Sequence, residues 1–123
     1  MKLDKIYLEA KLTESDFTKK EKSIVESYDN FEEVFEKNYL EKDSNKYSNY
    51  QLIRNILAAY QDDSNFILLC DARRPDLIRE FYLTVRCVKD VSLRSRCNVI
   101  LWQEVCKCIG GDLKPFLIEK YGL

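Results

Sequence analysis

At 123 residues, with 46% hydrophobic and 33% charged side chains and a net charge of −1, the chain has the size and balance of one globular domain with a real core. No apolar run approaches the roughly 20 residues of a membrane span, and Met1-Lys2-Leu3-Asp4 opens without the apolar stretch of a signal peptide, so a cytoplasmic protein is expected. Histidine is absent, which removes Ser-His and Cys-His nucleophiles and histidine metal ligands.

Charge is unevenly spread. Residues 1–65 carry ten basic and fourteen acidic side chains, residues 66–123 ten and seven. The positive half holds Arg73, Arg74, Arg79, Arg86, Arg94 and Arg96, and arginine suits phosphate contacts. The total is still far from the balance of a dedicated nucleic-acid binder.

In chain order, Ile6, Leu8, Ala10 and Leu12 alternate with Tyr7, Glu9 and Lys11, which predicts a strand over about 5–12. A period of two puts Glu9 and Lys11 on one face, about 7 Å apart along the strand. A carboxylate and an ammonium so held can ligate a hard cation and polarise a water or phosphate oxygen. The same spacing equally suits an ion pair on a half-exposed strand. Thr13 to Phe17 is polar and turn-like. From Lys19 to Asp43, Ile24, Val25, Tyr28, Phe31, Val34, Phe35 and Tyr39 recur at helix-like intervals among Lys and Glu, which predicts one or two helices. Asp43 to Asn49 is a loop, with Ser48 or Asn49 as N-cap of a helix over about 49–61. Its stripe is Leu52, Ile53, Ile56, Leu57 and Tyr60.

Asp62 to Asn65 breaks that helix, and Phe66 to Cys70 is an apolar run that suits a strand buried on both faces. After the 71–75 loop, Pro75 fits the first position of a helix whose core face is Leu77, Ile78, Phe81, Tyr82, Val85 and Val88. A polar connection through Ser92 to Arg96 leads to a second buried strand, Cys97 to Trp102. A short helix over about 102–109 ends at Gly110-Gly111, and Asp112 opens a final helix through Tyr121. The order predicts an α/β fold, a small three-stranded sheet flanked by helices. Such a thin sheet leaves an open edge at which a homodimer is expected. Five cysteines, an odd number, argue against a disulfide framework, and Cys106-x-Cys108 without histidine is a poor zinc site.

Several motifs in this order resemble the C-terminal part of a PD-(D/E)XK nuclease of the restriction-endonuclease-like type. Leu8-Glu9-Ala10-Lys11 resembles the E-x-K motif of the family's central strand. Asn49 to Asn55 resembles the opening of the following helix, where several branches keep a glutamine, here Gln51. Phe66 to Pro75 is similar to the next strand and its D-x-R-x-P exit. Arg94 to Glu104 resembles the "R-x-R, strand, W-Q-E" closing segment of one bacterial subfamily, and Leu117 to Gly122 its C-terminal end.

The resemblance implies a single restriction-endonuclease-like α/β domain over residues 1–123. It implies Glu9 as a Mg²⁺ ligand, Lys11 as the group that orients or activates water, Gln51 as support, and Arg54, Arg73 and Arg74 as contacts to DNA phosphates. The reaction would be metal-assisted hydrolysis of a DNA phosphodiester. The chain departs from the pattern in one place, because the strand that carries the family's first aspartate is missing upstream of Glu9. Asp4 lies about 17 Å from Glu9 along an extended strand, and Asp16 is the other intrachain candidate. A truncated core with weak or no activity is therefore expected, and the alternative is a non-catalytic interaction or dimerisation module. For Trp102, Gln103 and Glu104 the expected role is structural, a packed aromatic and a helix start.

Overall fold

A computed structural model describes residues 2–11 and 16–108, together with Pro115 and Glu119, which are helical and exposed. Apart from these two, the expected Asp112–Tyr121 helix lies outside the described residues.

The elements in order are β1 (Lys2–Leu3), β2 (Ile6–Lys11), β3 (Lys20–Glu21), α1 (Lys22–Glu26), α2 (Phe31–Val34), a 3₁₀ turn (Lys37–Tyr39), β4 (Lys42–Asp43), β5 (Lys46–Tyr47), α3 (Tyr50–Asp62), β6 (Asn65–Cys70), α4 (Pro75–Val85), α5 (Val91–Ser95), β7 (Cys97–Leu101) and α6 (Trp102–Cys108). β2, β6 and β7 are parallel neighbours in that order, the expected three-stranded core. β1 adds a two-residue antiparallel edge to β2. Asp4 turns the chain between them at φ 50°, a conformation Asp tolerates better than most residues.

The register sorts the sheet into two unlike faces. Glu9 is opposite Leu68, and Lys11 is opposite Cys70. Phe66, Leu68 and Cys70 are fully buried, so this is the core face, covered by α3 and α4. On the other face Leu8, Ile67 and Leu69 are half-buried, and Ala10, Asn98 and Ile100 are exposed. The expectation that β6 and β7 are buried on both faces is thus corrected. Five consecutive apolar residues permit two-sided burial without requiring it.

Between β2 and α3 the chain builds two short helices, as expected, and a 3₁₀ turn. It also builds a small antiparallel sheet, order β3-β5-β4, that the sequence did not announce and whose strand β3 comes before α1. Tyr47, Phe31, Val34, Phe35 and Leu40 are buried there and join the main core. The Ser92–Arg96 connection is largely the helix α5, capped by Asp90, whose carboxylate accepts from Ser92 N. Tyr82 is half-exposed rather than core-facing.

α3 begins without a side-chain cap. The N–H groups of Tyr50 and Gln51 are instead met by the carbonyls of Thr18 and Phe17, each at 3.0 Å, which satisfies donors that a helix start leaves open. Asn49 occupies the N-cap position in the left-handed region, but its amide nitrogen donates to Glu80 Oε2 at 3.0 Å and Glu41 Oε2 at 3.4 Å. The cap expected of Ser48 or Asn49 is therefore replaced by backbone from residues 17–18. Asp63, at φ 52°, closes the other end, with Ser64 N donating to Ala59 O at 2.8 Å, an αL termination in which aspartate stands where glycine is usual.

Candidate functional site

The core face of β2 is polar along its whole length, and α3 meets it rung by rung. Tyr7 hydroxyl donates to the Asp62 carboxylate at the end of α3. Asn55 Nδ2 donates to Glu9 Oε1 at 3.3 Å. Lys11 Nζ donates to Gln51 Oε1 at 2.6 Å near the start of α3. The rising strand numbers meet falling helix numbers, so α3 runs antiparallel over β2. Steps of two residues along the strand, about 7 Å each, match roughly one to two helical turns.

Glu9, Lys11 and Gln51 are thereby brought together on one face. Glu9 and Lys11 are not an ion pair with each other among the described residues, because each takes its own partner from α3. The Glu9 side chain keeps 18% of its exposure, and Arg54 Nη2 stands 3.9 Å from Glu9 Oε1 with its own side chain 53% exposed. Lys11 is only 4% exposed. Its ammonium lies 5.4 Å from the centroid of the fully buried Phe17 ring. A buried cation whose partners among the described residues are a neutral amide and an aromatic ring is a costly element of a core.

Asn55 is a site residue that sequence reasoning missed. It is buried, and its amide also bonds Gln51 O at 2.8 Å, so it fixes Glu9 against the helix. The signal was present: Asn55 lies four residues after Gln51, hence on the same helix face.

Arg73 and Arg74 stand apart from this cluster, in the loop after β6. Arg73 Nη2 donates to Asp71 Oδ2 at 2.6 Å, and Gln103 Nε2 donates to Asp71 Oδ1 at 2.8 Å. Gln103 Oε1 accepts in turn from Ala72 N at 3.0 Å, which ties the start of α6 to the exit of β6. Arg74 pairs with Asp76. Hydrogen bonding from Arg73, helped by Gln103 and opposed by burial, holds the Asp71 carboxyl well below the usual aspartate range. A group so depressed stabilises the fold above its unfolded pKa and loses that contribution as the pH falls below it. Thermal melts from pH 7 to pH 2 should therefore show the melting temperature falling below about pH 4, with a shallower acid limb in Asp71→Asn. Equal acid limbs would remove Asp71 as a source of acid sensitivity.

Cys70, Cys87, Cys97 and Cys106 are buried, and Cys108 is exposed, all free. Burial pushes the Cys97 thiol up to about 12.

Two clefts lie away from Glu9 and Lys11. One of about 460 Å³ is lined by Tyr39, Glu41, Asn49, Arg79, Glu80 and Thr84, and a neighbour of about 380 Å³ shares Glu41, Asn49 and Glu80. The Glu41 carboxyl is raised by its hydrogen bond to Glu80 and by burial. Asp16 lines the second cleft and accepts from Thr18 N at 2.9 Å, while Asp4 turns at the far end of β2. Neither is among the hydrogen-bond partners of the Glu9 cluster. Among the described residues no three His, Cys, Asp or Glu side chains converge as a metal cage, and no helix is long and apolar enough to cross a membrane.

The structure is thus an α/β protein whose strand β2 carries Glu9 and Lys11 inward, under a helix that supplies Gln51. Residues 1–122 match the family described as Restriction Endonuclease associating with ARP, and the chain belongs to that family. Neither a curated protein nor a solved structure matches it.

Proposed function

We propose that the chain hydrolyses DNA phosphodiesters at the Glu9–Lys11–Gln51 cluster in the presence of Mg²⁺. The observation that carries this reading is the buried Lys11 ammonium. It is held by Gln51 beside Glu9 and, among the described residues, is paired with no carboxylate, so its positive charge is directed at the Glu9 cluster. Glu9 offers one carboxylate. Mg²⁺ commonly binds through one or two carboxylates with waters and substrate phosphates, so these residues fit an ion that shares its shell with the substrate, not one caged by protein alone. Bound there, the ion would supply Lewis-acid polarisation of the phosphate and a more acidic water.

Within that site each side chain has one task. Asn55 fixes the Glu9 carboxylate. Gln51 aims the Lys11 ammonium, which stabilises charge developing on the phosphate or orients the attacking water. Arg54, exposed beside Glu9, meets a substrate phosphate. Arg73 and Arg74 serve as outer DNA contacts only in competition with Asp71 and Asp76.

Plasmid nicking in Mg²⁺ and Mn²⁺ tests the proposal. Nicking should be present in the parent and reduced about 10²–10³-fold in Glu9→Gln. Nicking undiminished in that variant would place the hydrolysis elsewhere. The single carboxylate, with the association that the family's description names, favours one second reading, a non-catalytic module that works by joining a partner. β7 has β6 on one side and no strand on the other among the described residues, and an added strand, from a second copy or a partner, fits that edge. A folded parent inert with both metals would favour this reading.

A further inference from the structure

Lys2, Lys19, Lys37, Arg54, Arg73, Arg74, Arg79, Lys89 and Arg96 each stand at ion-pair distance from a carboxylate. Lys20 is one of the basic side chains that do not. It makes no ion pair among the described residues, and its ammonium stands 5.4 Å from the centroid of the Tyr50 ring. The same ring carries the Arg54 guanidinium at 5.6 Å. Arg54 follows Tyr50 by four residues on α3, so the two share a helix face. Tyr50 is itself held in place. Its hydroxyl bonds that of Tyr28 at 2.8 Å, with ring centroids 6.3 Å apart.

An aromatic ring orders a cation without cancelling its charge, and at exposed sites it contributes only about 0.5–1 kcal/mol. Two cations ordered on one ring, with Arg54 reaching to 3.9 Å from Glu9, leave positive charge on a line that ends at the candidate site. Nucleic-acid strands present a phosphate about every 3.4 Å of helix axis, and two cations set around one ring offer such a run of phosphates two points of contact.

We propose that Lys20, Tyr50 and Arg54 form a binding strip for the phosphate backbone of a nucleic-acid strand and seat that strand across Glu9. The proposal deepens the nuclease reading above and rests on it for the direction of the strand. Tyr50 acts as the rack, and Lys20 and Arg54 make the contacts. The small β3-β5-β4 sheet acquires a purpose in this arrangement, since β3 carries Lys20 and β5 leads into Tyr50.

The test is fluorescence anisotropy with a labelled 20-nucleotide DNA of mixed sequence, as single strand and as duplex, in EDTA across a salt series. The background is Glu9→Gln, so that no cleavage intervenes. Lys20→Gln and Arg54→Gln should each weaken binding several-fold and lower the slope of log K against log salt by about 0.7–0.9, the loss of one phosphate contact. Tyr50→Leu should weaken binding although no charge is removed, and Tyr50→Phe, which keeps the ring, should bind near the parent value. Lys37→Gln, at a lysine already paired with Glu32, should leave the slope unchanged. Melting temperatures confirm that each variant is folded. The strip is overturned if the parent binds neither DNA, or if Lys20→Gln and Arg54→Gln keep the parent affinity and slope. Glu9-dependent nicking with unchanged slopes would sink the strip and leave the hydrolysis standing. Altered slopes in a chain that never nicks would support the strip and sink the hydrolysis.

Discussion

Replacing Lys11 by methionine should abolish nicking and leave the fold about as stable as before, or more so. The two effects have opposite sources. In the proposed reaction the ammonium faces charge that develops on the phosphate, and losing one such group costs about 10²–10³ in rate. In the resting fold the same ammonium is a charge taken out of water, met by Gln51 Oε1 and the Phe17 ring but by no carboxylate among the described residues. Exchanging buried charge for an apolar side chain of similar volume is often neutral or stabilising by about 1–4 kcal/mol. Against that stands the Gln51 oxygen left without its donor, which costs about 1–3 kcal/mol. Lys11→Met with Gln51→Leu removes that penalty and should melt above the parent. Denaturant titration beside the nicking assay checks both. A loss of several kcal/mol in Lys11→Met, with nicking retained, would make Lys11 a structural brace and leave Glu9 without its partner.

The face that Glu9 and Lys11 share was more legible than its surroundings, for a geometric reason. A period of two is short enough that Glu9 and Lys11 alone fix the face, while Gln51 was singled out only by the resemblance of Asn49 to Asn55 to a family motif. Asn55 was legible in principle at helical spacing from Gln51. It escaped because an asparagine inside a helix, taken from sequence, more often faces solvent. The insert between β2 and α3 hid its sheet for the opposite reason. Its strands are two residues each, Lys20–Glu21, Lys42–Asp43 and Lys46–Tyr47, too short to show alternation. Their registers follow instead from long-range packing of Tyr47 and Phe31, whose rings lie 5.5 Å apart. Asn49 shows how tertiary context redirects a local preference. Its position is that of a cap, but the carboxyls of Glu41 and Glu80 claim its side chain.

The stability of the frame that holds these residues depends on which face of the sheet is closed, and Phe66 tests that most directly. Phe66 is fully buried on the central strand β6, and its ring stands 5.8 Å from that of Phe81 on α4. One side chain thus joins the sheet to the helix over it. Phe66→Ala should cost about 3–5 kcal/mol, since neighbours on a regular strand and helix cannot collapse into the space left. For a domain whose total stability is on the order of 5–15 kcal/mol, that is a large share. Leu57→Ala on α3, also buried, should cost about 2–5 kcal/mol. Ile100→Thr on the opposite face provides the contrast. Ile100 is 37% exposed, and a change there away from core, caps and networks should stay within about 1 kcal/mol. Chemical denaturation of the three variants decides the matter. If Ile100→Thr cost as much as Phe66→Ala, the second face of the sheet would also be closed in solution. The frame would then be a sheet covered on both sides, with Glu9 and Lys11 still on the face that α3 covers.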